Sequence, residues 1–217
     1  IATHSCAAHP ERQRPANCAY PHATDKALTL VRLRAAALSL TGMKSTEELV
    51  AEGLAERGVP VLLIGGMALP AFDVVRQTVD MDCLLVDTQE GALNAVLTEA
   101  GYEELQRVEG FAQYVSSSVY LTDVDVMLVD EGTFEKIVAR SQPLDLGRTI
   151  MRVPCAAHMI MLKLHATKNN PKRATRDVGD IVEILRNRPE QVSDDELRAM
   201  CERYGPDGVY NRITEAL

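Results

Sequence analysis

Two segments of this chain set acidic residues into otherwise apolar alternation: "DMDCLLV", starting at residue 80, and "YLTDVDVMLVD", starting at residue 120. Residues two apart in a β-strand share a face. Asp80, Asp82 and Leu84 therefore point one way, and Met81, Cys83 and Leu85 the other. In the second segment Asp123, Asp125 and Met127 stand opposite Val124, Val126 and Leu128. If the two strands are neighbours, three or four carboxylates converge on one spot. Carboxylates that close repel unless a cation sits between them or one takes up a proton. Such a hard, all-oxygen site suits Mg²⁺, which keeps several waters and binds substrate phosphates. Taken singly, each D-x-D also reads as a pair of strand-edge aspartates facing water.

The surrounding pattern predicts a mixed α/β (α+β) domain with a helical C-terminal part. Apolar spacing predicts a helix from Ala23 to about Leu40. A capping box, Ser45 and Glu48, opens another that ends at Gly58. "VPVLLIGG" reads as a short strand with a glycine stop, residues 66–73 as a brief helix, and Thr88 to Ala100 as a longer one. Two or three strands follow, then a helix around Thr133 to Arg140 and an extended piece near "RTIMRVP". Helices are expected over Cys155 to Thr167, Pro171 to Asn187 and Ser193 to Tyr204, the last with a second capping box at Ser193 and Glu196. This divides the chain into an extension (1–42), a core domain (43–153) and a helical region (154–217).

Composition narrows the class. The chain has 217 residues, 46% apolar and 25% charged, as soluble globular domains do. Its apolar runs are too short for a membrane span. A net charge of −8 argues against a phosphate-binding coat but not against a local basic groove. Five scattered cysteines suit reduced thiols in a cytoplasmic protein. In the extension, Cys6, His9, Cys18 and His22 form a C-x2-H…C-x3-H series. Its central spacing is short for a zinc finger and no core residues surround it. The extension is expected to be flexible, lying upstream of a natural start at Met43.

Gly65-Gly66 closes a strand and opens a helix, so backbone N–H groups there could hold a phosphate. Arg76 stands four residues before Asp80, placed to touch phosphate or orient the carboxylates. Between Lys163 and Arg188, seven lysines and arginines face only Asp177, Asp180 and Glu183. That excess reads either as a surface for triphosphate or RNA, or as a solvated helix face with i,i+4 pairs such as Arg176 with Asp180.

The order "GGMAL", "RQTVDMD", "VDVML", "LKLHA" and "RDVGDIVEIL" resembles the nucleotidyltransferase superfamily related to DNA polymerase beta, and within it the AbiEii-type and minimal nucleotidyltransferases. The resemblance covers about Met43 to Arg188. It implies that Asp80 and Asp82 bind Mg²⁺ and that Asp125 is the third carboxylate, with Asp123 as its rival. Gly65, Gly66, Arg76 and Thr78 would surround the triphosphate, and Lys163, Arg176, Asp177 and Asp180 would lie along the nucleotide or acceptor. It further implies transfer of a nucleotidyl group from a nucleoside triphosphate to an acceptor hydroxyl, on RNA such as tRNA or on a small molecule. The role implied is one half of a toxin–antitoxin or phage-defence pair, with a cognate antitoxin or regulator as partner. A catalytically degenerate module of the same fold is the alternative, opposed by the intact aspartates. Two residues depart from the family pattern: Asp73, where relatives often carry glycine, and Pro70, which lacks a helix donor.

Overall fold

The computed structural model describes residues 42–217. The extension, its expected helix and the Cys6/His9/Cys18/His22 series lie outside the described residues. Helix α1 (Thr46–Glu56) starts at the expected capping box, where Ser45 and Glu48 satisfy each other's backbone N–H groups. Strand β1 (Leu62–Ile64) is only three residues long and stops at Gly65. The expected helix at 66–73 is a 3-10 turn, Leu69–Phe72. Pro70 fits there because the first turn leaves its N–H unused.

Next come β2 (Asp80–Val86), α2 (Glu90–Glu99), β3 (Tyr102–Val108), β4 (Phe111–Ser116) and β5 (Asp123–Val129). Helix α3 (Glu131–Ala139) is capped by Asp130, whose side chain accepts from the Thr133 N–H. Strands β6 (Gln142–Asp145) and β7 (Ile150–Val153) precede α4 (Ala156–Asn169). A 3-10 turn, Pro171–Arg173, then leads into α5 (Ala174–Asn187), α6 (Asp194–Tyr204) and α7 (Val209–Thr214). At α6, Ser193 caps by accepting from the Glu196 N–H. Strand β6 and helix α7 go beyond the sequence expectation. β6 is a four-residue edge strand carrying Pro143, and α7 spans six residues, so both periods are too short to read.

The seven strands form one mixed sheet in the order β3-β4-β5-β2-β1-β7-β6. Among the described residues, only β2–β5 and β1–β7 pair in parallel. The β2–β5 register sets Asp80 opposite Asp123 and Asp82 opposite Asp125. Below the aspartates, both strands bury their alternate residues. Met81, Cys83, Leu85, Val124 and Val126 enter the main core, shared with α1, α2 and the C-terminal helices. On the other face Leu84 and Val86 join Leu62 and Ile64 under Phe134, Ile137 and Leu162. At about 1.5–3 kcal/mol for each fully buried aliphatic side chain, this packing pins the register. A slip by one residue would drive the aspartates into the main core.

The start of β5 is held from α1. Thr122 donates its N–H to Thr46 Oγ1 at 2.9 Å, and Tyr102 donates its hydroxyl proton to the Thr122 carbonyl at 2.8 Å. Among the described residues, no helix is long and apolar enough to cross a membrane.

Candidate functional site

Asp80, Asp82 and Asp125 each offer a carboxylate oxygen, and these oxygens lie within 4.8 Å of one another. Asp123, one step up β5, is exposed and accepts from the Ser116 N–H at 3.3 Å. Two polar side chains orient the cluster. Thr78 Oγ1 donates to Asp80 Oδ1 at 2.6 Å, and Gln113 Nε2 donates to Asp125 Oδ1 at 2.8 Å from the directly paired position on β4. Burial pushes Asp82 up to about 6, with the Asp80 and Asp125 charges adding to the effect. Burial likewise raises Asp125, and the Gln113 bond opposes it. Three half-buried carboxylates within reach of one another form the donor set expected of a hard divalent cation.

The glycine pair touches this cluster directly. Gly65 has φ +65°, and a Cβ there would lie 1.8 Å from Asp82 Oδ2. A Cβ on Gly66 would lie 2.7 Å from Arg76 Nη2 and 2.8 Å from Thr78 Oγ1. Both positions need glycine because the turn presses against the carboxylates and their neighbours. Asp73 adopts the left-handed conformation, φ 57°, which aspartate tolerates better than most residues. It forms an ion pair with Arg188, and Asn187 Nδ2 donates to the Phe72 and Asp73 carbonyls.

The C-terminal helices supply the facing wall. A cleft of about 170 Å³ is lined by Gly65, Asp82, Asp125, Lys163, Arg173 and Asp177, with Phe111, Met127 and Met159 among its apolar walls. Lys163 is buried, 2.7 Å from Asp180 and 3.8 Å from Asp177. Asp180 also meets Arg76 Nε at 3.3 Å, and Asp177 meets Arg173 Nε at 3.2 Å. Arg176 stays exposed and approaches Asp177 only to 3.9 Å. The suggested Arg176–Asp180 pair therefore gives way to Arg173–Asp177. Asp180 faces inward from α5, where Lys163 and Arg76 reach it. Sequence reasoning left Gln113 out of the site and counted Arg173 only within the basic stretch from Lys163 to Arg188. Neither sits in a motif, and only strand register and the α4–α5 turn bring them to it.

No family model matches the sequence, and none of the curated proteins does. Solved structures do match. The solution structure of the antibiotic-resistance factor ANT(2'')-Ia aligns with a TM-score of 0.57 at 11% identity, over 84% of this chain and 97% of that one. The fold is that of the nucleotidyltransferases. The crystal structure of ANT(2'')-Ia with adenylyl-2''-tobramycin matches with a TM-score of 0.54 at 13% identity, over 78% of this chain and 97% of that one. At such identity the nucleotidyltransferase fold is what is shared, and the chemistry rests on this chain's own carboxylates.

Proposed function

We propose that this chain is a divalent-metal-dependent nucleotidyltransferase, with Mg²⁺ as the ion. The observation that carries the reading is the convergence of Asp80, Asp82 and Asp125 within 4.8 Å beside the Gly65 turn. Ions held by the three carboxylates would neutralise phosphate charge and lower the pKa of an acceptor hydroxyl. Asp80 and Asp82 present their oxygens from one strand, and Asp125 from the next. Thr78 and Gln113 fix the carboxylate orientations before substrate arrives, so little reorganisation is needed during reaction. As the acceptor oxygen bonds to the α-phosphorus, the bond to pyrophosphate breaks, and the acceptor's proton leaves by way of Asp125. Gly65 and Gly66 keep the backbone close to the phosphates, with Lys163, Arg176 and Asp177 on the nucleotide or acceptor side.

Lys168, Lys172 and Arg176 are exposed around the α4–α5 turn, beside the cleft, which supports a polyanionic acceptor such as tRNA. Its placement in a toxin–antitoxin or phage-defence pair of the AbiEii type, with a regulator protein as partner, rests on the sequence resemblance. The test incubates the protein with labelled nucleoside triphosphates, Mg²⁺ and, in separate arms, total RNA or an aminoglycoside. Label should enter RNA and be lost in Asp82→Ala. Label entering the aminoglycoside alone would overturn the RNA acceptor. Failure to label anything, under any metal, would overturn the transfer reading.

A further inference from the structure

Two cations line the cleft across from the carboxylates, and they differ in what they have left to give. Lys163 is 5% exposed and lies between Asp177 and Asp180, so its ammonium is already neutralised by protein carboxylates. Arg173 spends only its Nε, on Asp177. A guanidinium carries five donors, so its two terminal amino groups keep four N–H bonds unused by the described residues. Its side chain is 36% exposed, against 1% for the Asp177 that holds it.

The anchorage is firm. Arg173 closes the 3-10 turn Pro171–Arg173, in which Pro171 fixes the backbone and the Asn170 side chain accepts from the Lys172 N–H. Arg173 lines the same cleft as Asp82 and Asp125. A nucleoside triphosphate with its α-phosphate at those carboxylates must lay its two outer phosphates along the cleft. Those phosphates carry most of the charge and depart together as pyrophosphate. A forked guanidinium with two free amino groups matches paired phosphate oxygens better than an enclosed ammonium does.

We propose that Arg173 is the residue that grips the β- and γ-phosphates of the nucleoside triphosphate, through its two terminal amino groups. Asp177 aims that fork, and Lys163 serves chiefly to hold Asp177 and Asp180 in place. When the acceptor oxygen bonds to the α-phosphorus, the bridging oxygen leaves with the pyrophosphate, and Arg173 meets the charge that develops on it. This assignment rests on the nucleotidyl-transfer reading.

Calorimetric titration of the full chain in Mg²⁺ separates the two. The probes are the best-bound of the four common nucleoside triphosphates, its di- and monophosphate, and pyrophosphate. Arg173→Ala should weaken the triphosphate and pyrophosphate about 10- to 100-fold, the range charge-assisted hydrogen bonds carry, and leave the monophosphate unchanged. Arg173→Lys should fall between, since it keeps the charge and loses the fork. Unchanged monophosphate binding also shows that the variant is folded. Equal losses on mono- and triphosphate, or no loss on either, would overturn the role of Arg173 while leaving transfer intact. A wild type that binds none of the four triphosphates would overturn the transfer reading and this assignment with it.

Discussion

Replacing Asp82 with asparagine should stabilise the metal-free protein while removing its response to metal. In the fold Asp82 is shifted from the usual 3.8 to about 6, first by burial and then by Asp80 and Asp125. At 1.36 kcal/mol per pH unit, keeping it ionised costs the fold about 3 kcal/mol. The sign follows from proton counting. Between pH 4 and 6 the folded state binds the proton that the unfolded chain has released, so stability rises as pH falls through that window. The cost is fully present above about pH 6 and has gone by about pH 4. An amide in place of the carboxylate cannot ionise and escapes it. In EDTA at pH 7.5, urea unfolding of Asp82→Asn should show a gain of up to about 3 kcal/mol, shrinking towards zero by pH 4. Saturating Mg²⁺ or Mn²⁺ should raise the melting temperature of the wild type and leave the variant unmoved. A variant no more stable than wild type at pH 7.5, or equally favoured at both pH values, would refute the reasoning.

Gly65→Ala places a Cβ on Asp82 at a positive φ, so it should abolish label transfer and cost more than about 1 kcal/mol of stability by chemical denaturation. Gln113→Leu removes the bond that favours ionised Asp125, so the acidic limb of the pH–rate profile should move to higher pH and the metal requirement should rise about tenfold. Lys163→Met leaves Asp177 and Asp180 buried without their ammonium. It should destabilise by about 3–5 kcal/mol in urea, and a loss below about 1 kcal/mol would contradict its role as the buried partner.

Much of the architecture was legible because its elements announce themselves locally. The Ser45–Glu48 box and the D-x-D alternation of β2 and β5 depend on neighbours three or two residues away, and the sequence displays those spacings. Strand β6 and helix α7 stayed hidden, because a four-residue edge strand and a six-residue helix hold too little periodicity and exist by packing on others.

The chain order alone determined that carboxylates on β2 and β5 share strand faces, that glycines stand before them, and that basic residues cluster near the C-terminal helices. Which carboxylates meet was a matter of register. Parallel pairing of β2 with β5 puts Asp82 level with Asp125, and Asp123, exposed at the start of β5, accepts from the Ser116 N–H instead. Tertiary packing likewise divided the cations. Folding α5 against α4 buries Lys163 between two aspartates and leaves Arg173 with open donors on the cleft. Spacing along a chain sets which side chains share a face. Desolvation and partner count, which decide what each charge can still bind, arise only when elements distant in sequence close over one another.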